Sequence, residues 1–173
     1  MDSADNKTLS YAGIGSRETP PETLSLMTRL AARLEELGYT LHSGAAEGAD
    51  TAFELGVKNP ENMRIFLPWE NFNKRNCPCE IPPLAYEIAK RFHPAWERLS
   101  AGAQKLMARN TQQVLGRDCK TPVNFVLCWH RGTGGTTQAC RIAEHHRIPI
   151  VNIFLSDWRE RIKAIVSSIM EVA

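Results

Sequence analysis

Three times in this chain a short apolar run ends in small residues and gives way to a helical pattern. The runs are LSYAGIG at 9–15, YTLHS at 39–43 and VNFVLCW at 123–129. The loops that close them are Gly13-Ile14-Gly15-Ser16-Arg17, Ser43-Gly44-Ala45-Ala46-Glu47-Gly48-Ala49-Asp50 and Gly132-Thr133-Gly134-Gly135-Thr136-Thr137. A strand that turns through glycine into a helix is the repeating unit of a parallel sheet with crossover helices. The expected class is therefore α/β: a Rossmann-like parallel sheet of about five strands flanked by helices.

The intervening segments fill that frame. Thr19-Pro20-Pro21-Glu22 carries a helix start: a capping residue, prolines in the first turn and a carboxylate three positions on. Leu24, Met27, Leu30, Ala31, Leu34 and Leu37 then recur at helical spacing, and Gly38 ends the run. TAFELGV (51–57) and TQACRIAEHH (137–146) read as helices, MRIFLPW (63–69) and PIVNIF (149–154) as strands. Residues 70–83 read as an irregular loop. Residues 84–116 read as a helical insertion, broken near His93-Pro94 and again near Ser100–Gly102. A last amphipathic helix is expected over 157–171, with Trp158, Ile162, Ile165, Val166, Ile169 and Met170 on its apolar side. With no internal repeat and no linker, residues 1–173 are expected to form one domain.

Composition narrows the function classes. Twenty-one Lys+Arg stand against nineteen Asp+Glu, for a net charge of +2. A sequence-independent duplex binder usually carries a larger basic excess, so only a local basic groove would serve nucleic acid. No run approaches the ~18 apolar residues of a membrane helix. The opening MDSADNKTLS lacks the apolar core of a signal peptide, so a cytoplasmic location in the producing or host cell, with no membrane partner, is expected. The five cysteines are odd in number and are expected to be reduced there.

All three loops would lie at the carboxyl edge of the sheet, where ligands of such sheets bind. Glycine lets the backbone approach an anion, and amides at a helix start favour negative charge. The candidate ligand-binding and phosphate-binding residues are Gly13, Gly15, Ser16, Arg17, Ser43, Gly44, Gly134, Gly135, Thr136 and Thr137. Arg17 offers a guanidinium for a bidentate phosphate contact. The first loop departs from the dinucleotide fingerprint, with Glu18 in place of the third glycine, and no glycine loop ends in Lys-Ser/Thr. A nicotinamide dehydrogenase or a P-loop ATPase is therefore not expected.

These motifs carry a resemblance. YAGIGSRETP, the following helix and HSGAAEGAD resemble the start of the Rossmann-like domain of the DNA-processing protein A (DprA) family. Ala108-Arg109-Asn110 resembles its Arg-Asn helix motif, and GTGGTTQACRIAEHHRIPIVNI its final glycine loop and helix. The likeness spans most of residues 9–153 and extends to the SLOG superfamily, which also holds the YpsA-type proteins and the LONELY GUY phosphoribohydrolases. It implies nucleotide or nucleic-acid ligands and frequent self-association as a dimer or higher oligomer. Small stand-alone members are often phage-encoded, which suggests a phage origin. The resemblance adds Arg109 and Asn110 to the candidate binding residues. Ala139, beside Gln138, stands where the phosphoribohydrolases carry a glutamate, and a neutral amide is no carboxylate base. Glu47 stands where the DprA family often has a basic residue.

The remaining chemistry is sparse. Glu47 and Asp50, three apart at a helix start, are the candidate catalytic carboxylates; the plainer role is helix capping. Trp69 is a candidate base-stacking residue, or half-buried packing at a strand end. Cys77-Pro78-Cys79 with Cys119 or His93 makes a poor zinc set, because the spacing is one residue and no second pair exists. No metal and no cofactor are expected. His42 and His130 flank loops and read as structural histidines or proton carriers.

The reading that results is a binder of a nucleotide or nucleotide-derived small molecule. Hydrolysis of an N-glycosidic or ADP-ribose-like bond is open beside sensing or sequestration. The alternative is a DprA-like single-stranded DNA binder.

Overall fold

A computed structural model describes residues 8–167. It has the expected α/β architecture, a five-stranded parallel sheet between two helical layers. The strands are β1 Ser10–Gly15, β2 Thr40–Ser43, β3 Met63–Ile65, β4 Phe125–Trp129 and β5 Ile150–Asn152. Their order is β3-β2-β1-β4-β5, the Rossmann-like order in which the chain winds outward from β1 and then reverses. The reversal leaves a crevice between the ends of β1 and β4, which pair in register from Tyr11–Phe125 to Gly15–Trp129.

Period-two alternation decides which layer each strand residue feeds. Tyr11, Leu41, Phe125, Leu127, Trp129 and Val151 pack on α1 (Pro21–Glu36), α2 (Ala49–Gly56) and α6 (Trp158–Ile165). Ala12, Ile14, Val126 and Cys128 pack on α3 (Pro83–Arg91), α4 (Ala101–Leu115) and α5 (Gly134–His145). Each fully buried Leu, Ile or Phe in these layers contributes about 1.5–3 kcal/mol of transfer free energy. Among the described residues no helix is long and apolar enough to cross a membrane.

Several boundaries differ from the sequence reading. Thr19 does not cap α1: its hydroxyl donates to the Ser16 carbonyl at 2.6 Å, and the helix opens at Pro21 without a side-chain cap. The strand expected over 63–69 stops at Ile65, with one further ladder bond from Phe66 N to the Ser43 carbonyl. Pro68 lacks the N–H to continue it. The strand expected over 149–154 stops at Asn152, because Phe154 N turns back to the Asn152 side chain at 3.2 Å. The helical insertion divides as expected, into α3, a 3-10 turn at Trp96–Arg98 and α4, which Ser100 caps. The last helix ends at Ile165, with Val166 already out of helical conformation; Ile169 and Met170 lie outside the described residues.

Candidate ligand-binding edge

The three loops come together at the carboxyl edge of the sheet, but they are built for different purposes. In the first, glycine answers a packing demand. A Cβ on Gly13 would stand 2.7 Å from the Phe53 ring and 2.8 Å from Leu41, and one on Gly15 would collide with Ala49. These residues let α2 lie close against β1. Ser16 turns the chain: its amide donates to the Trp129 carbonyl at 3.0 Å and its hydroxyl accepts from Glu18 N at 3.2 Å. Arg17 is left exposed just beyond.

The second loop is an internal polar lattice. The Asp50 carboxylate accepts from Gly44 N at 2.9 Å and from Ala46 N at 3.3 Å. Arg109, on α4, donates to the Gly44 carbonyl and to the Phe66 carbonyl, so Asp50 and Arg109 grip the Gly44 residue from opposite sides. Both are buried, Asp50 at 3% and Arg109 at 4% exposure. Burial pushes the Asp50 carboxyl up to about 6, against the pull of Arg109 and the loop amides. Burial likewise lowers the Arg109 guanidinium, against the attraction of Asp50. Ser43 is wholly buried and donates to Glu54 at 2.5 Å; Glu54 in turn pairs with Arg75. The Phe72 ring lies under the Arg109 guanidinium at 5.5 Å, and Asn73 Nδ2 donates to the Ala45 carbonyl at 2.8 Å. The 70–76 segment therefore ties down the second loop. Glu47 is the carboxylate of this loop that remains exposed.

His42, in β2 beneath this loop, is held neutral. Burial lowers its pKa from 6.5 to about 4, although its Nδ1 faces the Gln113 carbonyl at 3.1 Å. A depressed histidine contributes stability that is present above the unfolded pKa and lost as pH falls through the folded one. Asp50, raised, acts oppositely between its unfolded value of 3.8 and about 6. The two slopes offset each other in wild type. His42→Asn, which keeps a donor towards Gln113, is expected to remove one of them. The stability difference between wild type and variant should shrink by about 3 kcal/mol between pH 6.5 and 4. Urea unfolding across that range checks it, and a constant difference would refute it.

The third loop differs again. Gly132 and Gly134 have φ of +100° and +83°, with open space where a Cβ would stand. These are backbone requirements at a surface that solvent or a ligand can reach. Thr133 precedes α5 without a side-chain cap, so its side chain does not occupy the first amides of this twelve-residue helix. Asn110 Nδ2 reaches the Gly135 carbonyl at 3.4 Å, and Arg109 Nε donates to Asn110 Oδ1 at 3.1 Å. The Arg109-Asn110 pair thus joins the second loop to the third from beneath. Thr136 is buried, and Thr137 Oγ1 lies 3.4 Å from His130 Nδ1.

Beside this loop stands a feature that the sequence reading missed. Arg131 lies over Trp129 at 5.4 Å and over Phe154 at 5.7 Å, and the two rings meet edge to face. Phe154 is 48% exposed and Leu155 44%. Asn152 fixes the platform: its Oδ1 accepts from His130 N and Phe154 N, each at 3.2 Å, and its Nδ2 donates to the His130 carbonyl at 3.0 Å. Because Ser16 N bonds to the Trp129 carbonyl, Arg17 and this aromatic cluster flank the same crevice. Among the described residues neither Arg17 nor Arg131 has a carboxylate partner. The available signal was Arg131 opening the glycine run, with Phe154 two residues beyond a strand end.

Trp69, 38% exposed, follows β3 at the head of the segment that ties down the second loop. It packs edge-on against Phe72 at 5.2 Å and lines a shallow depression with Ile81, Tyr86 and Lys105. Cys77 and Cys79 do not join Cys119 or His93. Among the described residues the metal-ligating groups that do converge are Cys128, His130 and Cys140.

No family model and no curated protein sequence matches the chain. The fold is similar to a solved structure of DNA processing protein A from Helicobacter pylori, a protein described for its single-stranded DNA binding mode. The TM-score is 0.57 at 18% identity, over 95% of this chain and 78% of that one. At that identity the likeness shows a shared fold, and the chain is DprA-like in its architecture.

Proposed function

We propose that this chain binds single-stranded DNA at the crevice between β1 and β4. The observation that carries this reading is the pairing of two guanidiniums that have no carboxylate partner among the described residues, Arg17 and Arg131, with the exposed Phe154 ring at the topological switch point. Single strands are held by cations that follow the phosphates and by rings on which bases stack; Arg17 and Arg131 offer the first and the half-exposed Phe154 ring the second. The start of α5, which Thr133 leaves without a side-chain cap, supplies a further phosphate contact in this reading. The structural likeness to a single-strand binder supports the same reading. Asp50 and Arg109, by contrast, spend their hydrogen bonds inside the protein. In this reading they shape the loops and do not touch the ligand.

A second reading, a nucleotide-derived small molecule at the same edge, is favoured by the open third loop and its uncapped helix start. Hydrolysis in that reading rests on Glu47, the exposed carboxylate. Fluorescence anisotropy with a labelled ~20-mer at several salt concentrations separates the two. The expected result is binding that weakens steeply with salt. Arg17→Ala and Arg131→Ala should each weaken it about tenfold and lower the salt slope by about one. An absence of binding at low salt would overturn the reading. A thermal shift with nucleoside monophosphates alone would then transfer the site to the small ligand, and loss of their turnover in Glu47→Gln would make it a hydrolase.

A further inference from the structure

The groups that the edge does not use converge behind the third loop. Cys128 is the fourth residue of β4, His130 follows the strand and Cys140 lies in α5. The Cys128 and Cys140 sulfurs are 3.8 Å apart, and Cys140 Sγ is 3.5 Å from His130 Nε2. One ligand atom from each residue lies within 4.8 Å of the others. A tetrahedral zinc ion, with Zn–S about 2.3 Å and Zn–N about 2.0–2.1 Å, needs S···S near ~3.8 Å and S···N near ~3.6 Å. Two of those edges, Cys128–Cys140 and Cys140–His130, are already present, and the third, Cys128–His130, is within 4.8 Å, so a small side-chain adjustment completes the set. Both cysteines are buried and His130 is half-buried, so the trio opens towards the loop.

The geometry points to a Cys2His site for a borderline-soft divalent cation of the zinc class, held by Cys128 Sγ, Cys140 Sγ and His130 Nε2, with water or an anion as fourth ligand. Binding forms two metal–sulfur bonds and one metal–nitrogen bond. It releases two protons to solvent, leaving two thiolates and a neutral imidazole around the dication, with no net charge buried. The proposal does not depend on what the outer edge binds.

The site is coupled to the third loop through the histidine. Gly132 N donates to His130 Nδ1 at 3.0 Å, so in this structure Nδ1 accepts and the proton sits on Nε2, facing Cys140. A metal on Nε2 requires the proton on Nδ1. The Gly132 amide then loses its acceptor, and Thr137 Oγ1, 3.4 Å away, becomes the acceptor for Nδ1–H. Metal binding therefore releases the loop that carries Gly132 and recruits Thr137 as the group that orients the ring.

Cobalt(II) titration of the chelator-treated, reduced protein tests this. The expected result is one equivalent bound with the thiolate-to-cobalt charge-transfer absorption and intense visible bands of tetrahedral coordination, displaced by zinc. Cys140→Ser and the more surface-lying His130→Ala should each lose that signature, while Cys77→Ser/Cys79→Ser keeps it. Thr137→Val should weaken zinc binding by at least tenfold. The Gly132 amide resonance should shift on metal addition in wild type. A weak octahedral cobalt spectrum, or a charge-transfer band that follows Cys77 and Cys79, would overturn the proposal. Folding of each variant is checked by its circular dichroism, and the His130→Ala result stands if a cysteine variant fails that check.

Discussion

The Arg109→Ala variant is expected to lose about 3–5 kcal/mol of folding stability, the cost of removing one partner from a buried charged pair. For a chain of 173 residues that corresponds to a fall in Tm of roughly 6–20 °C. The reason is local. Without the guanidinium, the Gly44 and Phe66 carbonyls lose their donor, the Phe72 ring loses the group that covers it, and Asp50 loses its opposite charge. The pH dependence gives the loss a signature. Asp50 already has a raised folded pKa of about 6, and removing Arg109 raises it further. A carboxyl raised in the folded state loses stability as pH climbs from the unfolded pKa through the folded one. The deficit of the variant relative to wild type should therefore be larger at pH 8 than at pH 5, where Asp50 is protonated in both proteins. Urea unfolding at the two pH values measures it. An equal deficit at both would show that the loss comes from packing alone.

That prediction assigns Arg109 to the interior, and the assignment shows where sequence reading stops. The period-two strands, the helical spacing of Leu24 to Leu37 and the three strand–loop–helix junctions suffice for the class, the parallel sheet and the split helical insertion. They report on backbone geometry and burial, which local sequence encodes. The roles of the loop residues are not local. Gly13, Gly44 and Gly134 look alike in sequence. Yet the first makes room for Phe53, the second admits Arg109, and the third turns through a positive φ at the surface. Only the positions of α2 and α4, residues far away in the chain, distinguish them. Arg109 illustrates the same limit: an arginine in a helix reads as a solvated face until α4 is seen to run beneath the second loop. Arg131 and Phe154 were missed for the converse reason. Each is unremarkable alone, and Asn152 brings them together across β4 and β5. Cys128, His130 and Cys140 likewise match no compact metal motif, because a strand and the helix packed on it supply the spacing.

Gly44→Ala should destabilise the protein by about 3 kcal/mol, at the upper end of overpacking costs because the clash displaces a hydrogen-bonded charge. The backbone at Gly44 does not have the positive φ that excludes alanine, so the whole effect comes from space. A Cβ there would overlap the Arg109 guanidinium and stand 2.7 Å from Gln113 Oε1. The guanidinium cannot swing aside cheaply, since the Phe66 carbonyl and Asn110 hold it as well. The double variant decides between packing and ligand contact. Once Arg109→Ala has emptied the space, the added methyl group meets only the Gln113 side-chain end, which can turn into the vacated space, so the two losses should fall short of additivity by about 0.5–3 kcal/mol. If Gly44 instead served close approach of a phosphate, the single variant would keep its stability and lose affinity for the oligonucleotide. Thermal unfolding and anisotropy on the same four proteins, wild type, the two singles and the double, distinguish these outcomes. The packing outcome would leave the Arg17 and Arg131 edge intact in every variant that folds, with DNA affinity unchanged while stability falls.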